Sequence, residues 1–185
     1  AYAIIGRIVG SEMCIRDSSV GAFENERLVA FILHFEDDKN GVKYVYNGGT
    51  GVIPSYRGKR LTSKMYDFIL PILKAQNINR LILEVFTDNL SASKIYQSQG
   101  FEVKREVACF SGELKQTEAT ILDKATQILP LTTLDWSNAT SLWDFSPTWQ
   151  NSISTLKRLH NDLLIFGAKN DQELIGYIVF NPKLK

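Results

Sequence analysis

Residues 50–62 read TGVIPSYRGKRLT and residues 83–101 read LEVFTDNLSASKIYQSQGF. In the first stretch a β-rich run is closed by Pro54, which has no amide proton for a ladder and favours an extended residue before it. A basic, glycine-containing turn follows. Apolar residues at Leu61, Met65, Phe68, Ile69, Ile72 and Leu73 then recur at the spacing of one helix face, with Pro71 expected to kink the helix near its end. A helix start presents unpaired backbone N–H groups and the positive end of the helix dipole, a combination that suits phosphate. Arg57, Lys59 and Arg60 add formal charge to those donors. The plain alternative is a solvated basic helix start, because an anion site needs convergence in space that spacing alone does not supply.

Around the second stretch, Ile78 to Phe86 has the nearly continuous apolar character of a strand buried on both faces. Asn89 or Ser91 can cap the next helix, Ala92, Ile95 and Tyr96 face inward, and Gly100 stops it at a position that tolerates left-handed dihedrals. Phe101 to Phe110 is expected to return as a strand. Upstream, Val20 to Phe35 patterns as a hairpin about Glu24-Asn25-Glu26, and Val42 to Ile53 is a further extended segment. This order mixes a hairpin meander with strand–helix–strand crossovers, so the expected class is α/β (α+β), a mixed sheet covered by helices.

Val52, Pro54, Arg57 and Gly58, followed by Leu83-Glu84-Val85, Asn89, Ala92, Tyr96, Gly100 and Phe101, resemble the central pattern of the GNAT acyltransferase family. The resemblance runs from residue 20 to residue 114 and implies a mainly antiparallel mixed sheet flanked by helices. It implies acetyl-CoA as acyl-donor cosubstrate, no metal, and transfer of the acetyl group to an amine of a small molecule or peptide. By the same resemblance, the strand of Thr50, Gly51 and Val52 splays from its neighbour and hydrogen-bonds the pantetheine arm. Arg57, Gly58, Lys59, Arg60, Leu61 and Thr62 match the pyrophosphate loop, and Asn89 a residue lining the cofactor slot. Glu84 matches a general base and Tyr96 the acid that reprotonates the leaving thiolate, while backbone N–H groups near Gly51 and Val52 would polarise the thioester oxygen. Read without the family, Glu84 is equally an ordinary strand carboxylate and Tyr96 a core tyrosine. Two positions depart from the pattern: Arg60 stands where glycine is usual, and Thr62 where glycine or alanine is usual. Backbone donors survive both changes, so the expectation is weakened cofactor binding. The rival reading is a non-catalytic acyl-CoA-binding or regulatory module.

The chain has 185 residues, 44% hydrophobic and 22% charged, with a formal net charge of +1. Globular averages are met, and no global field exists to hold a polyanion, so nucleic acid is not expected as a partner. No apolar run approaches the ~20 residues that cross a bilayer, and no membrane partner is expected. Cys14 and Cys109 cannot make a disulfide framework, and His34 and His160 supply no closely spaced zinc set; a cytoplasmic setting fits. Both histidines read as structural or solvated, and Cys109 as a packed strand residue.

Along the chain, Val9 to Ser18 (VGSEMCIRDS) resembles a translated sequencing adapter, and residues 1–18 are expected to be an artefact outside the fold. Residues 19–114 are expected to be the acetyl-CoA-binding domain lacking its first strand and helices, 115–127 a linker, and 128–185 the truncated first part of a second GNAT-like domain. An offset of 146 places Gly21 on Gly167, Ala22 on Ala168, Leu28 on Leu174, Phe31 on Tyr177 and Ile32 on Ile178, which suggests a repeated unit.

Overall fold

Strands β1 (Ala3–Gly6), β2 (Val20–Glu24), β3 (Arg27–Lys39), β4 (Val42–Val52) and β5 (Leu81–Leu83) lie side by side in that order, antiparallel except for the β4–β5 pair. Asn25 and Glu26 join β2 to β3 with positive φ of 47° and 66°; two such residues give the tight turn whose twist matches that of its strands. The computed structural model describes residues 3–6, 18–39, 41–112 and 126–183. The chain divides into two units, Ala1–Ala108 and Cys109–Lys185.

In the first unit, helix α1 (Leu61–Ala75) lies on one face of the sheet and α2 (Leu90–Ser98) follows β5. Val20, Ala22, Val29, Ile32 and Val45 from the strands meet Leu61, Met65, Tyr66, Ile69 and Leu73 from α1 in one buried cluster. Each large side chain withdrawn from water in this way contributes about 1.5–3 kcal/mol. The inward face of α1 differs from the expected one: Tyr66 is fully buried, whereas Phe68 and Ile72 are more than a third exposed. Pro71 lies inside α1 and does not end it. Asn89 caps α2, its Oδ1 accepting the Ala92 N–H at 3.1 Å, and Gly100 ends it at φ 88°.

Three expected features come out differently. The strand expected from Ile78 to Phe86 is confined to Leu81–Leu83, the stretch over which β4 pairs with it, from Val45 to Asn47. The segment Phe101 to Phe110 pairs with no strand among the described residues, and Cys109 is exposed there. Ala3–Gly6 falls in the stretch expected to lie outside the fold, yet it forms β1, with Ile4 packed against the core. Residues 7–17, which hold most of the adapter-like run and Cys14, and most of the expected linker lie outside the described residues.

His34 on β3 is fully buried. Its Nδ1–H donates to the Ser18 carbonyl at 2.6 Å, which fixes the tautomer, and Nε2 has no partner among the described residues. Burial pushes this imidazole below its ordinary value, with the Ser18 bond opposing. The unfolded chain therefore binds the extra proton more readily. The stability held by neutral His34 is complete above about pH 6.5, the ordinary histidine value, and is lost as the pH falls below it. A titration of thermal midpoint against pH should show this acid-side loss in the native protein and not in His34→Gln.

The second unit contains β6 (Thr126–Pro130), β7 (Leu164–Asn170) and β8 (Glu173–Phe180) in one antiparallel sheet, with α3 (Trp136–Thr140) and α4 (Ile153–Arg158) between β6 and β7. Both helices are short; Pro147 disfavours helical dihedrals before it, and Ser152 caps α4. The offset of 146 holds in the pairing register. Val20↔Ile32, Gly21↔Phe31, Ala22↔Ala30, Phe23↔Leu28 and Glu24↔Arg27 correspond to Phe166↔Ile178, Gly167↔Tyr177, Ala168↔Gly176, Lys169↔Leu174 and Asn170↔Glu173. The register shift falls at the same step in both, Ala22/Phe23 and Ala168/Lys169. Ile4↔Ala22 and Ile128↔Ala168 extend the correspondence to β1 and β6. Among the described residues, no helix is long and apolar enough to cross a membrane.

Candidate functional site

Strand β5 pairs with β4 at Val45↔Leu81, Tyr46↔Ile82 and Asn47↔Leu83, and there the pairing stops. Strand β4 continues to Val52 along β3. At the parting point the β3–β4 register steps from His34↔Asn47 to Leu33↔Gly49, leaving Gly48 as an extra residue, the signature of a β-bulge. A Cβ on Gly48 would stand 2.2 Å from Cε2 of Phe35, and one on Gly51 would stand 2.5 Å from Cε1 of Phe31. Both glycines thus admit an aromatic ring from β3 directly onto the β4 backbone.

Asn47 is buried at the bulge. Its Oδ1 accepts the Gly49 N–H at 2.9 Å, and its Nδ2 donates to Tyr66 OH at 2.8 Å and to Thr50 Oγ1 at 2.9 Å. The Tyr66 phenol has its ionisation pushed upward, chiefly by burial and secondarily by Tyr96, with the Asn47 bond opposing.

Past Val52, a single turn of 3-10 helix at Pro54–Tyr56 leads into the basic loop. Tyr56 OH donates to Glu24 Oε2 at 2.6 Å, tying the loop to β2, and Lys59 Nζ lies 4.6 Å from the centre of the Tyr56 ring. Arg57 Nε donates to the Val52 carbonyl at 3.4 Å. Gly58 has φ 75°, and Arg60, the N-cap of α1, has φ 58° and ψ 28°. Arg60 thus stands outside the helical region, in a conformation that favours glycine. A left-handed arginine carries about 1–2 kcal/mol of strain that glycine avoids. The first turn of α1 has no side-chain cap and no acidic residue, so Leu61, Thr62 and Ser63 present N–H donors free of local negative charge. This suits a pyrophosphate.

Glu84 follows β5 directly, and its Oε2 accepts a hydrogen bond from Tyr46 OH at 3.2 Å. Tyr96 on α2 sets its ring edge-on to Tyr66 (centroids 6.3 Å) and to Phe101 (5.7 Å). Tyr66 therefore touches the bulge through its hydroxyl and Tyr96 through its ring. Thr50 and Tyr96 are thus brought to one place, and Glu84 joins through Tyr46, the residue before Asn47. Asn89 has its carbonyl committed to capping α2, which leaves only its amide nitrogen for a ligand.

Residues 11–101 match the Acetyltransferase (GNAT) family. Over this segment the chain belongs to the GNAT family. No curated protein matches the chain. Among solved structures it is similar to AAC(6')-Iy in complex with a bisubstrate analogue, at 19% identity and TM-score 0.44 over 52% of this chain and 69% of that one. It is also similar to Arabidopsis thaliana Naa50 in complex with the bisubstrate analogue CoA-Ac-MVNAL, at 22% identity and TM-score 0.47 over 56% of this chain and 85% of that one.

Sequence reasoning missed three residues of this GNAT domain: Tyr46, Asn47 and Tyr66. The Gly48-Gly49 pair inside a β-rich run was the available signal, since glycine within a strand marks a bulge or a close backbone approach. Tyr66 carried none, because its role rests on a hydrogen bond to a residue nineteen positions away.

Proposed function

We propose that the GNAT domain moves an acetyl group from acetyl-CoA to an amine of a small molecule or peptide. The observation that carries this reading is the parting of β4 from β5 after Asn47↔Leu83, with the β4 end leading straight into the basic loop and the α1 N-terminus. The residues fit the cosubstrate: an unpaired β4 edge at Thr50, Gly51 and Val52 suits the amides of a pantetheine arm, and the loop from Arg57 to Thr62 suits a pyrophosphate. Acetyl-CoA supplies an activated acyl group, and the chain supplies proton transfer and charge stabilisation. The Glu84 carboxylate takes the proton from the attacking amine as the new C–N bond forms. The backbone N–H of Val52, turned to the open edge of β4, stabilises the charge growing on the acyl oxygen, while that of Gly51, expected to share this role, faces β3. As the C–S bond breaks, Tyr96 OH gives its proton to the thiolate, an easy transfer to a group whose ordinary pKa is about 8.5.

The register shared by β1–β3 and β6–β8 supports a second proposal about organisation: Thr126 to Phe180 form the first part of another GNAT-like unit, whose α3 and α4 stand where a domain of this family holds its acceptor. Thr126 and Gln127, the end of the linker expected at 115–127, belong to β6.

Thermal unfolding with and without acetyl-CoA tests the functional reading. At a hundred times its dissociation constant the ligand should add about 2.7 kcal/mol to the native state, and Arg57→Ala with Lys59→Ala should abolish the shift. Arg60→Gly should raise the unliganded midpoint, by relief of about 1 kcal/mol of left-handed strain, and enlarge the shift. A cooperative transition that does not respond to acetyl-CoA in either the native chain or Arg60→Gly rejects the reading.

A further inference from the structure

The bulge that separates β4 from β5 is built around a single side chain. A strand alternates its backbone groups between its two edges, so β4 would continue along β5 if its donors and acceptors kept their alternation beyond Asn47. Two things stop it. The extra residue Gly48 reverses the alternation for everything that follows, so that the Val45 N–H bonds the Arg80 carbonyl on the β5 side whereas the Ile53 N–H bonds the Val29 carbonyl on the β3 side; and the Asn47 side chain pins the extra residue, its Oδ1 accepting the Gly49 N–H at 2.9 Å. That bond is a side-chain turn from residue i to i+2, which closes the bulge locally. Both protons of the Asn47 amide are also used, one by Tyr66 OH and one by Thr50 Oγ1. The reversed amide orientation would face nitrogen against the Gly49 N–H, so this arrangement is the one that pairs donors with acceptors.

We infer that Asn47 is a positioning residue that holds β4 away from β5 and so shapes the slot for the pantetheine arm; this rests on the acetyl-CoA reading. Asn47 touches no reacting atom. It acts through Gly49, by pinning the residue that follows the extra Gly48, and through Thr50, by fixing the first residue of the free β4 edge. Tyr66 anchors the assembly to α1, the same helix whose N-terminus meets the basic loop.

The test uses the full chain as native protein, Asn47→Ala and Asn47→Asp, with two ligands: coenzyme A, and adenosine 3′,5′-bisphosphate, which has the nucleotide but no pantetheine arm. Asp keeps an acceptor for Gly49 and can take hydrogen bonds from the Tyr66 and Thr50 hydroxyls, so it preserves the bulge by different donors. Asn47→Ala should weaken coenzyme A binding about tenfold, the effect of losing a well-made hydrogen bond or two in the slot, and leave adenosine 3′,5′-bisphosphate unchanged. Asn47→Asp should restore the preference for coenzyme A. Equal losses for both ligands would mean that Asn47 merely supports the fold, and would overturn the inference. Hydrogen exchange at the Gly49 amide is measured alongside without any ligand: faster exchange in Asn47→Ala than in the native chain, with neighbouring β3 amides unaffected, supports the inference, and unaltered exchange overturns it. Failure of the native chain to bind either ligand rejects the acetyl-CoA reading, and the Gly49 exchange alone then decides whether Asn47 holds the bulge.

Discussion

Glu84→Gln should lower the rate of amine acetylation by about two to four powers of ten, the usual contribution of a positioned general base, or roughly 3–5 kcal/mol of barrier. Its affinity for acetyl-CoA should stay at the native level. The two effects separate because the substituted amide still offers an oxygen to Tyr46 OH, which donates to Glu84 Oε2 in the native protein, and so the local packing survives. What is lost is the ability to accept a proton. Single-turnover acetylation of a panel of amines, with cofactor affinity measured independently, reads both quantities. A variant that keeps its rate would assign the base elsewhere and leave Glu84 as an ordinary carboxylate at the end of β5. The choice of a chemically quiet substitution matters: Glu84 is exposed, so a large loss of rate without loss of stability is the signature of chemistry.

The local signals in the sequence proved good guides where the physics is local. Pro54 closes β4, Asn89 caps α2, Gly100 stops that helix with a left-handed φ, and the turn after Phe23 is tight. Each depends on a residue and its immediate neighbours. The parts of the site that were not legible depend on partners distant in sequence. Asn47 looks like any polar residue in a strand until Tyr66, on another element, accepts a hydrogen bond from it. Tyr66 also displaced Phe68 and Ile72 from the inward face of α1, because a hydroxyl with a buried partner can enter a core that periodicity alone assigns to hydrocarbons. Leu81–Leu83 is short for a similar reason: an apolar run becomes a strand only where a neighbour offers it a ladder. At Arg60, which departs from the family pattern, the conformational demand became visible only with its φ of 58°.

Tyr66→Ala should cost about 3–5 kcal/mol, the range for removing a buried aromatic ring, which is a large fraction of what holds a domain of this size together. The ring is fully buried and packs against His34, Tyr96 and Phe101, with centroids 6.2, 6.3 and 5.5 Å away. All three tryptophans, Trp136, Trp143 and Trp149, belong to the second unit, so their fluorescence follows that unit while circular dichroism follows both. In urea, with a slope of about 2 kcal/mol/M, the dichroism transition of the first unit should move down by about 2 M, and the fluorescence transition should hold its place. A common shift in both signals would mean that the two units unfold together. Tyr66→Phe isolates the hydroxyl. It keeps the ring and leaves one Asn47 proton without its acceptor, a loss of about 1–3 kcal/mol, and it should loosen the Gly49 bond at the same time. The same side chain therefore supports the core through its ring and the bulge through its hydroxyl, which ties the stability of the first unit to the shape of its slot.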